Sequence, residues 1–148
     1  MELLIQPLSE KIGGTIPLPY YATTGAAGLD LHACTDGDTV IAPHARVFIP
    51  TGLAVAIPEG YVGILAVRSS MGAKNGINLA NGIGVIDSDY RGPLQVTLHN
   101  TTDTPYTVHS GDRIAQLLMI PVAQPAIRVV DTLPATERGA GGFGSTGR

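Results

Sequence analysis

The sequence predicts an all-β fold, a jelly-roll-like β-barrel or sandwich, and three observations carry that reading. Leu94, Val96 and Leu98 alternate with Gln95, Thr97 and His99, and Leu53, Val55 and Ile57 alternate with alanines. That is the period-2 pattern of strands with one face buried. Turn formers recur at intervals of roughly ten residues, the spacing of short strands in a barrel or sandwich. Finally, 19 Gly and 11 Pro distributed along the chain leave little room for a helix of three turns.

In chain order, residues 47–49, 53–57, 62–67, 94–98, 114–120 and 127–130 read as strands. Pro43, Pro50, Pro58-Glu59-Gly60, Asn75-Gly76, Gly92-Pro93, Ser110-Gly111 and Pro121 punctuate them. Asn81-Gly82 reads as a tight hairpin turn between two β arms. No repeat or linker divides the chain, so residues 1–135 are taken as one β-barrel domain. The remainder, 136–148, carries Gly139, Gly141, Gly142, Gly144 and Gly147. It cannot bury enough apolar surface to fold alone, and reads as a flexible tail. One aromatic, Phe143, amid glycines and an Arg marks that tail as a lid that orders over an anion.

Composition narrows the function classes. A chain of 148 residues is one domain's worth and can build a core without disulfides. Charged residues make up 14 %, against roughly 25 % in a typical soluble domain. So sparing a surface is expected to be covered by other copies of the chain. The net charge of −3 gives no basic footprint for nucleic acid. No apolar run approaches the ~20 residues of a membrane span, and no signal peptide is expected, so the cytoplasm is the default location. Cys34, the single cysteine, reads as a small buried hydrophobe. His32, His44, His99 and His109 lack metal-site spacing and adjacent acid partners, and are expected to be surface or satisfied polar groups. Asn100-Thr101-Thr102 matches a glycosylation sequon by chance.

Because charge is scarce, its placement is informative. Segments 24–32, 66–76, 81–92, 110–117 and 136–148 hold 11 of the 21 charged residues, together with Gly or Ser, and read as loops on a β scaffold. Arg68, Ser69 and Ser70 follow an apolar run, and a planar guanidinium with hydroxyls suits phosphate oxygens. Asp87 follows two β-branched residues, an odd place for a carboxylate unless it is used. Near a phosphorus centre, an Asp can orient and deprotonate water. Asp89 is expected on the same side of a strand. In the tail, Gly139-Ala140-Gly141-Gly142-Phe143-Gly144 is a literal G-x-G-x-x-G. With four residues after it no helix can follow, so the dinucleotide-binding reading fails. What survives is a set of amides, Ser145, Thr146 and Arg138 able to surround phosphates, with Phe143 able to stack on a base.

Five motifs in this order resemble the trimeric dUTP diphosphatase (dUTPase) family over nearly the whole chain. They are Ala27-Gly28-Leu29-Asp30-Leu31, Arg68-Ser69-Ser70-Met71-Gly72, Gly84-Val85-Ile86-Asp87-Ser88-Asp89-Tyr90-Arg91-Gly92, Gly111-Asp112-Arg113-Ile114-Ala115-Gln116-Leu117, and the tail from Arg138 to Gly147. The resemblance implies a jelly-roll homotrimer whose three active sites each draw on all three subunits. It implies hydrolysis of dUTP to dUMP and pyrophosphate, limiting uracil incorporation into DNA and supplying dUMP for thymidylate synthesis. Mg²⁺ is implied as a cofactor, held mainly by the substrate phosphates, with Asp30 reaching it through water.

By the same resemblance Asp87 is the base for water attacking the α-phosphorus, and Tyr90 is the platform under deoxyribose. Asn81, with Gly84, Val85, Ile86 and Gln95, reads uracil. Arg68, Ser69, Ser70 and Gln116 hold phosphates, and Arg138, Phe143, Gly144, Ser145 and Thr146 close over base and γ-phosphate. Three positions depart from the family pattern: Leu29 where Tyr is frequent, Ser70 where Gly is frequent and Met71 where Leu is frequent. None removes a proposed chemical group. A dCTP deaminase on the same fold would need a carboxylate placed to protonate the pyrimidine, whereas Asp-Ser-Asp-Tyr and the Phe-bearing tail favour the diphosphatase. A silent nucleotide sensor would have no need of Asp87.

Overall fold

The computed structural model describes residues 1–141. Ten strands are formed among them: β1 (Leu4–Pro7), β2 (Gly28–His32), β3 (Thr39–Ile41), β4 (Arg46–Ala56), β5 (Tyr61–Val67), β6 (Ile77–Leu79), β7 (Gly84–Ile86), β8 (Pro93–Asn100), β9 (Tyr106–Val108) and β10 (Arg113–Pro121). The helical content is one wide turn over Ser70–Lys74. One sheet has the order β1-β4-β8-β6, a second β2-β10-β5-β7, and β3 pairs with β9; every pairing is antiparallel. Two antiparallel sheets face each other across one core, the sandwich that the alternation predicts.

Alternation holds where it was clearest. Leu94, Val96 and Leu98 are buried, while Gln95 between them is exposed. With Ile41, Ile49, Leu53, Ile77, Ile114 and Leu117 they form a continuous core. Cys34 is half-buried against that core. Residues 47–49 and 53–57 do not form two strands, because β4 runs through Pro50 with a register irregularity between Pro50 and Ala54. A bulge accommodates a proline that cannot donate to the ladder. Gly52 sits at φ +70° there, and a Cβ on it would come within 2.7 Å of the Cys34 Sγ.

Three further expectations are corrected. Asn81-Gly82 does not close a hairpin: β6 pairs with β8 and β7 with β5, so the turn carries the chain from one sheet to the other. Its bonds are Gly82 N–H to Leu79 O at 3.0 Å and Ile83 N–H to Asn81 O at 2.9 Å, with Gly82 at φ +73°. The local turn chemistry is the expected one, but the arms find partners elsewhere. Segment 24–32 is not a loop throughout, since Gly28–His32 is a strand with every residue buried. Residues 127–130 form no strand; they are exposed, and no β partner for them occurs among the described residues.

Asn100 shows why its sequon carries no sugar signal. Its side chain is buried, donating to Ile41 O at 3.0 Å and Thr104 O at 2.7 Å, and so ties β8 to β3 and to the loop before β9. No helix among the described residues is long and apolar enough to cross a membrane.

Candidate functional site

Several of the residues singled out from the sequence fall in two places, one toward each end of β5. At one end, β7 pairs with β5 as Gly84 opposite Leu65, Val85 opposite Ile64 and Ile86 opposite Gly63. The close approach requires glycine, because a Cβ on Gly84 would lie 2.9 Å from that of Leu65. Asp87 leaves the strand there and is exposed, so Asp87 and Asp89 stand in a turn beyond β7 rather than on one face of a strand. The turn is closed by Tyr90 N–H to Asp87 O at 3.2 Å and by Arg91 Nη1 donating to Ser88 O at 2.6 Å. Asp87, Ser88, Asp89 and Arg91 line an open cleft of ≈ 890 Å³, with Tyr61 and Val85 among the facing residues.

Tyr90 is held by its hydroxyl, which donates to Pro93 O at 3.1 Å. Its ring packs so tightly over Gly92 that a Cβ there would overlap the hydroxyl. Asn81 is exposed on the inter-sheet turn, Val85 is 57 % exposed on β7, and Gln95 is exposed on β8 opposite Pro50.

At the opposite end of β5 lies a cluster built around Asp30. This carboxylate is 1 % exposed in the middle of β2. A buried carboxylate persists only when paired and hydrogen-bonded. Arg68, immediately past β5, is ion-paired to its Oδ1. Gln116 Nε2 donates to the same oxygen at 3.3 Å, and Arg113 Nη1 donates to Oδ2 at 3.2 Å. Burial alone would push the Asp30 carboxyl up, but the bonds from Arg68 and Gln116, the Arg68 charge and the Arg113 bond outweigh it. They hold the group below the usual carboxylate range. Ser69 and Ser70 are exposed as the chain turns into Ser70–Lys74, where Met71 N–H and Gly72 N–H both bond Arg68 O at 3.0 Å. Arg68, Ser70 and Arg113 line a polar cleft of ≈ 260 Å³.

The two clusters are far apart within the chain. Continuing the register, Asp87 falls opposite Val62, six residues from Arg68, or roughly 20 Å at about 3.3 Å per strand residue. One chain therefore does not bring Asp87 and Arg68 into one site. Arg138 is exposed, its Nε donating to Gly141 O at 2.9 Å in a turn over 136–141. Phe143, Gly144, Ser145 and Thr146 lie outside the described residues. Sequence reasoning missed the role of Arg113, and it missed the acid partners of two histidines. His44 Nε2 lies 2.9 Å from Asp103 and His109 Nδ1 lies 2.7 Å from Asp38, pairings that span 59 and 71 residues and leave no local signal. The hydrogen bond and charge of Asp38 raise the His109 imidazole above its ordinary value.

This two-sheet architecture is that of solved dUTPases. The structure is similar to the dUTPase of Staphylococcus bacteriophage 80alpha with dUPNHPP, at TM-score 0.88 and 28 % identity, with 99 % of each chain covered. The dUTPase from phage phi11 of S. aureus matches at TM-score 0.81 and 25 % identity, covering 92 % of this chain and all of that one. The family model described as dUTPase matches residues 15–147. The deoxyuridine 5'-triphosphate nucleotidohydrolase of Actinobacillus pleuropneumoniae is 49 % identical over 142 residues, covering 95 % of this chain and 94 % of that protein. The enzyme of the same name from Tolumonas auensis is 47 % identical over 148 residues, covering 99 % and 98 %. The chain belongs to the dUTPase family.

Proposed function

We propose that this chain hydrolyses dUTP to dUMP and pyrophosphate in a homotrimer, at sites that take Asp87 from one subunit and the Asp30-anchored Arg68 and Gln116 from another. Membership of a family whose named relatives are deoxyuridine triphosphate nucleotidohydrolases supports the reaction. The observation that carries the shared site is the separation of Asp87 from Arg68 along β5.

In this reading Asp87 takes a proton from water, whose oxygen attacks the α-phosphorus. The new bond is oxygen to α-phosphorus; the bond that breaks joins the α-phosphorus to the bridging oxygen, which leaves with pyrophosphate. Catalysis of this kind rests on positioning and on stabilising charge. Arg68, Ser69, Ser70 and Gln116 hold the phosphates. Asn81 and the backbone of Gly84, Val85 and Ile86, with Gln95, read the uracil edge, and Tyr90 excludes a 2′-hydroxyl. Residues 136–148 act as the lid, with Arg138 at its base.

Among the described residues, no three His, Cys, Asp or Glu side chains are grouped to hold a metal ion, and both Asp30 oxygens already have donors. Mg²⁺ would come with the substrate, chelated by the triphosphate whose charge it would neutralise, and Asp30, with both oxygens already bonded, would reach it only through water. A cytoplasmic location suits nucleotide-pool chemistry, and dUMP is the precursor that thymidylate synthesis consumes. Turnover in water labelled with heavy oxygen tests the reading: the label is expected in dUMP, and dCTP is expected to release no ammonia. Label in pyrophosphate would contradict attack at the α-phosphorus.

A further inference from the structure

We infer that Arg113 is a positioning residue of the phosphate cleft: by sharing the buried Asp30 carboxylate with Arg68, it keeps that cleft from becoming net negative toward a triphosphate. The inference rests on the nucleotide reading above and adds a residue to it.

The first support is local geometry. In a regular ladder Gln116 opposite Asp30 would put Ile114 opposite His32 and point Arg113 to the other face. Instead the register shifts between Arg113 and Ala115, so that Arg113 itself lies opposite His32. Residues 30 and 32 of a strand share a face, so the irregularity turns Arg113 onto the face of Asp30. Ile114 is released into the core, where it is fully buried. A bulge at that point has a visible consequence: it brings a second guanidinium to a carboxylate that Arg68 already occupies.

The second support is charge. Four formal charges lie in or under the cleft: Arg68, Arg113, Asp30 and Asp112. The Asp112 carboxylate accepts the His109 backbone N–H at 2.8 Å but still lines the cleft. His32 is not a further cation held in charged form there: burial, with the charges of Arg113 and Arg68, keeps its imidazole below the ordinary value against the opposing pull of Asp30. With Arg113 the four charges balance; without it the cleft carries a net negative charge, which would repel phosphate. The Arg68 side chain is 21 % exposed and that of Arg113 46 %, against 2 % for Asp30. The carboxylate is thus a buried anchor, and the two guanidiniums are the parts that reach the ligand side.

Binding of dUPNHPP and dUMP to the assembled protein tests this, with Arg113→Met, Arg113→Lys and the pair Asp30→Asn/Arg113→Met. Arg113→Met is expected to weaken dUPNHPP by about tenfold or more while dUMP shifts by no more than about threefold. Arg113→Lys should recover part of the loss. The double variant, whose cleft regains balance, should bind dUPNHPP better than Arg113→Met alone. Equal loss of both ligands, or a double variant no better than the single one, would overturn the charge-balancing role and leave Arg113 as a fold residue. Wild-type protein that binds dUPNHPP no more tightly than dUMP would instead sink the triphosphate reading itself.

Discussion

Gly92 carries no chemistry, yet it bears on the sugar discrimination proposed for Tyr90. A Cβ at this position would overlap the Tyr90 hydroxyl, which is otherwise bonded to Pro93 O. Tyr90 is 43 % exposed, so its ring can swing away at small cost to folding. The effect of Gly92→Ala should therefore fall on sugar discrimination rather than on stability. The ratio of kcat/KM for dUTP over UTP is expected to drop by about tenfold, in the range one steric contact commands, with the melting temperature shifted by only a few degrees. An unchanged ratio would mean that Tyr90 does not police the 2′ position. Much at this scale was legible in the sequence. Asp87 after two β-branched residues, and Arg68 before two serines, stood out because charge is rare in the chain. Arg113 did not stand out, because its partner lies 83 residues away and only a register irregularity brings the two together.

Strand alternation revealed the four longest strands, β4, β5, β8 and β10, and its failures share one cause. Periodicity reports which face is apolar; it does not report which strand supplies the partner. Asn81-Gly82 has the composition of a hairpin turn, yet its arms join different sheets. Residues 127–130 have strand composition and find no ladder within the described chain. Conversely β2 was read as a loop because Gly28, Asp30 and His32 are poor strand formers, and only their partners on β10 and Arg68 just past β5 explain them. The Asp30 cluster that locks β2, β5 and β10 together gives a pH prediction. Its carboxyl is depressed in the folded state, so its contribution to stability is complete above the ordinary Asp value and is lost as pH falls through the folded value. The gap in melting temperature between wild type and Asp30→Asn should be full at neutral pH and shrink on acidification below about pH 4. A gap independent of pH would show that Asp30 does not hold the strands as a carboxylate.

The whole molecule is incomplete as a single chain in two respects. Ile127 is 95 % exposed and Val129 94 %, on an arm with no β partner among the described residues, and Phe48 is 69 % exposed on β4. Apolar residues so placed, in a chain with only 14 % charged residues, suit burial against further copies. Asp87 and Arg68, proposed as base and phosphate holder, also lie at opposite ends of β5. Association of copies in the proposed trimer accounts for both. Neither the separation nor the exposed arm was visible in the order of the motifs, because sequence order is silent on which strand end each motif reaches. The most direct test is complementation between Asp87→Asn and Arg68→Ala, each expected to be inactive alone. Chains unfolded and refolded together should regain dUTP hydrolysis at about a quarter of the sites, since symmetric mixing pairs an intact Asp87 with an intact Arg68 that often. Mixed assemblies as inactive as their parents would contradict a site shared between subunits.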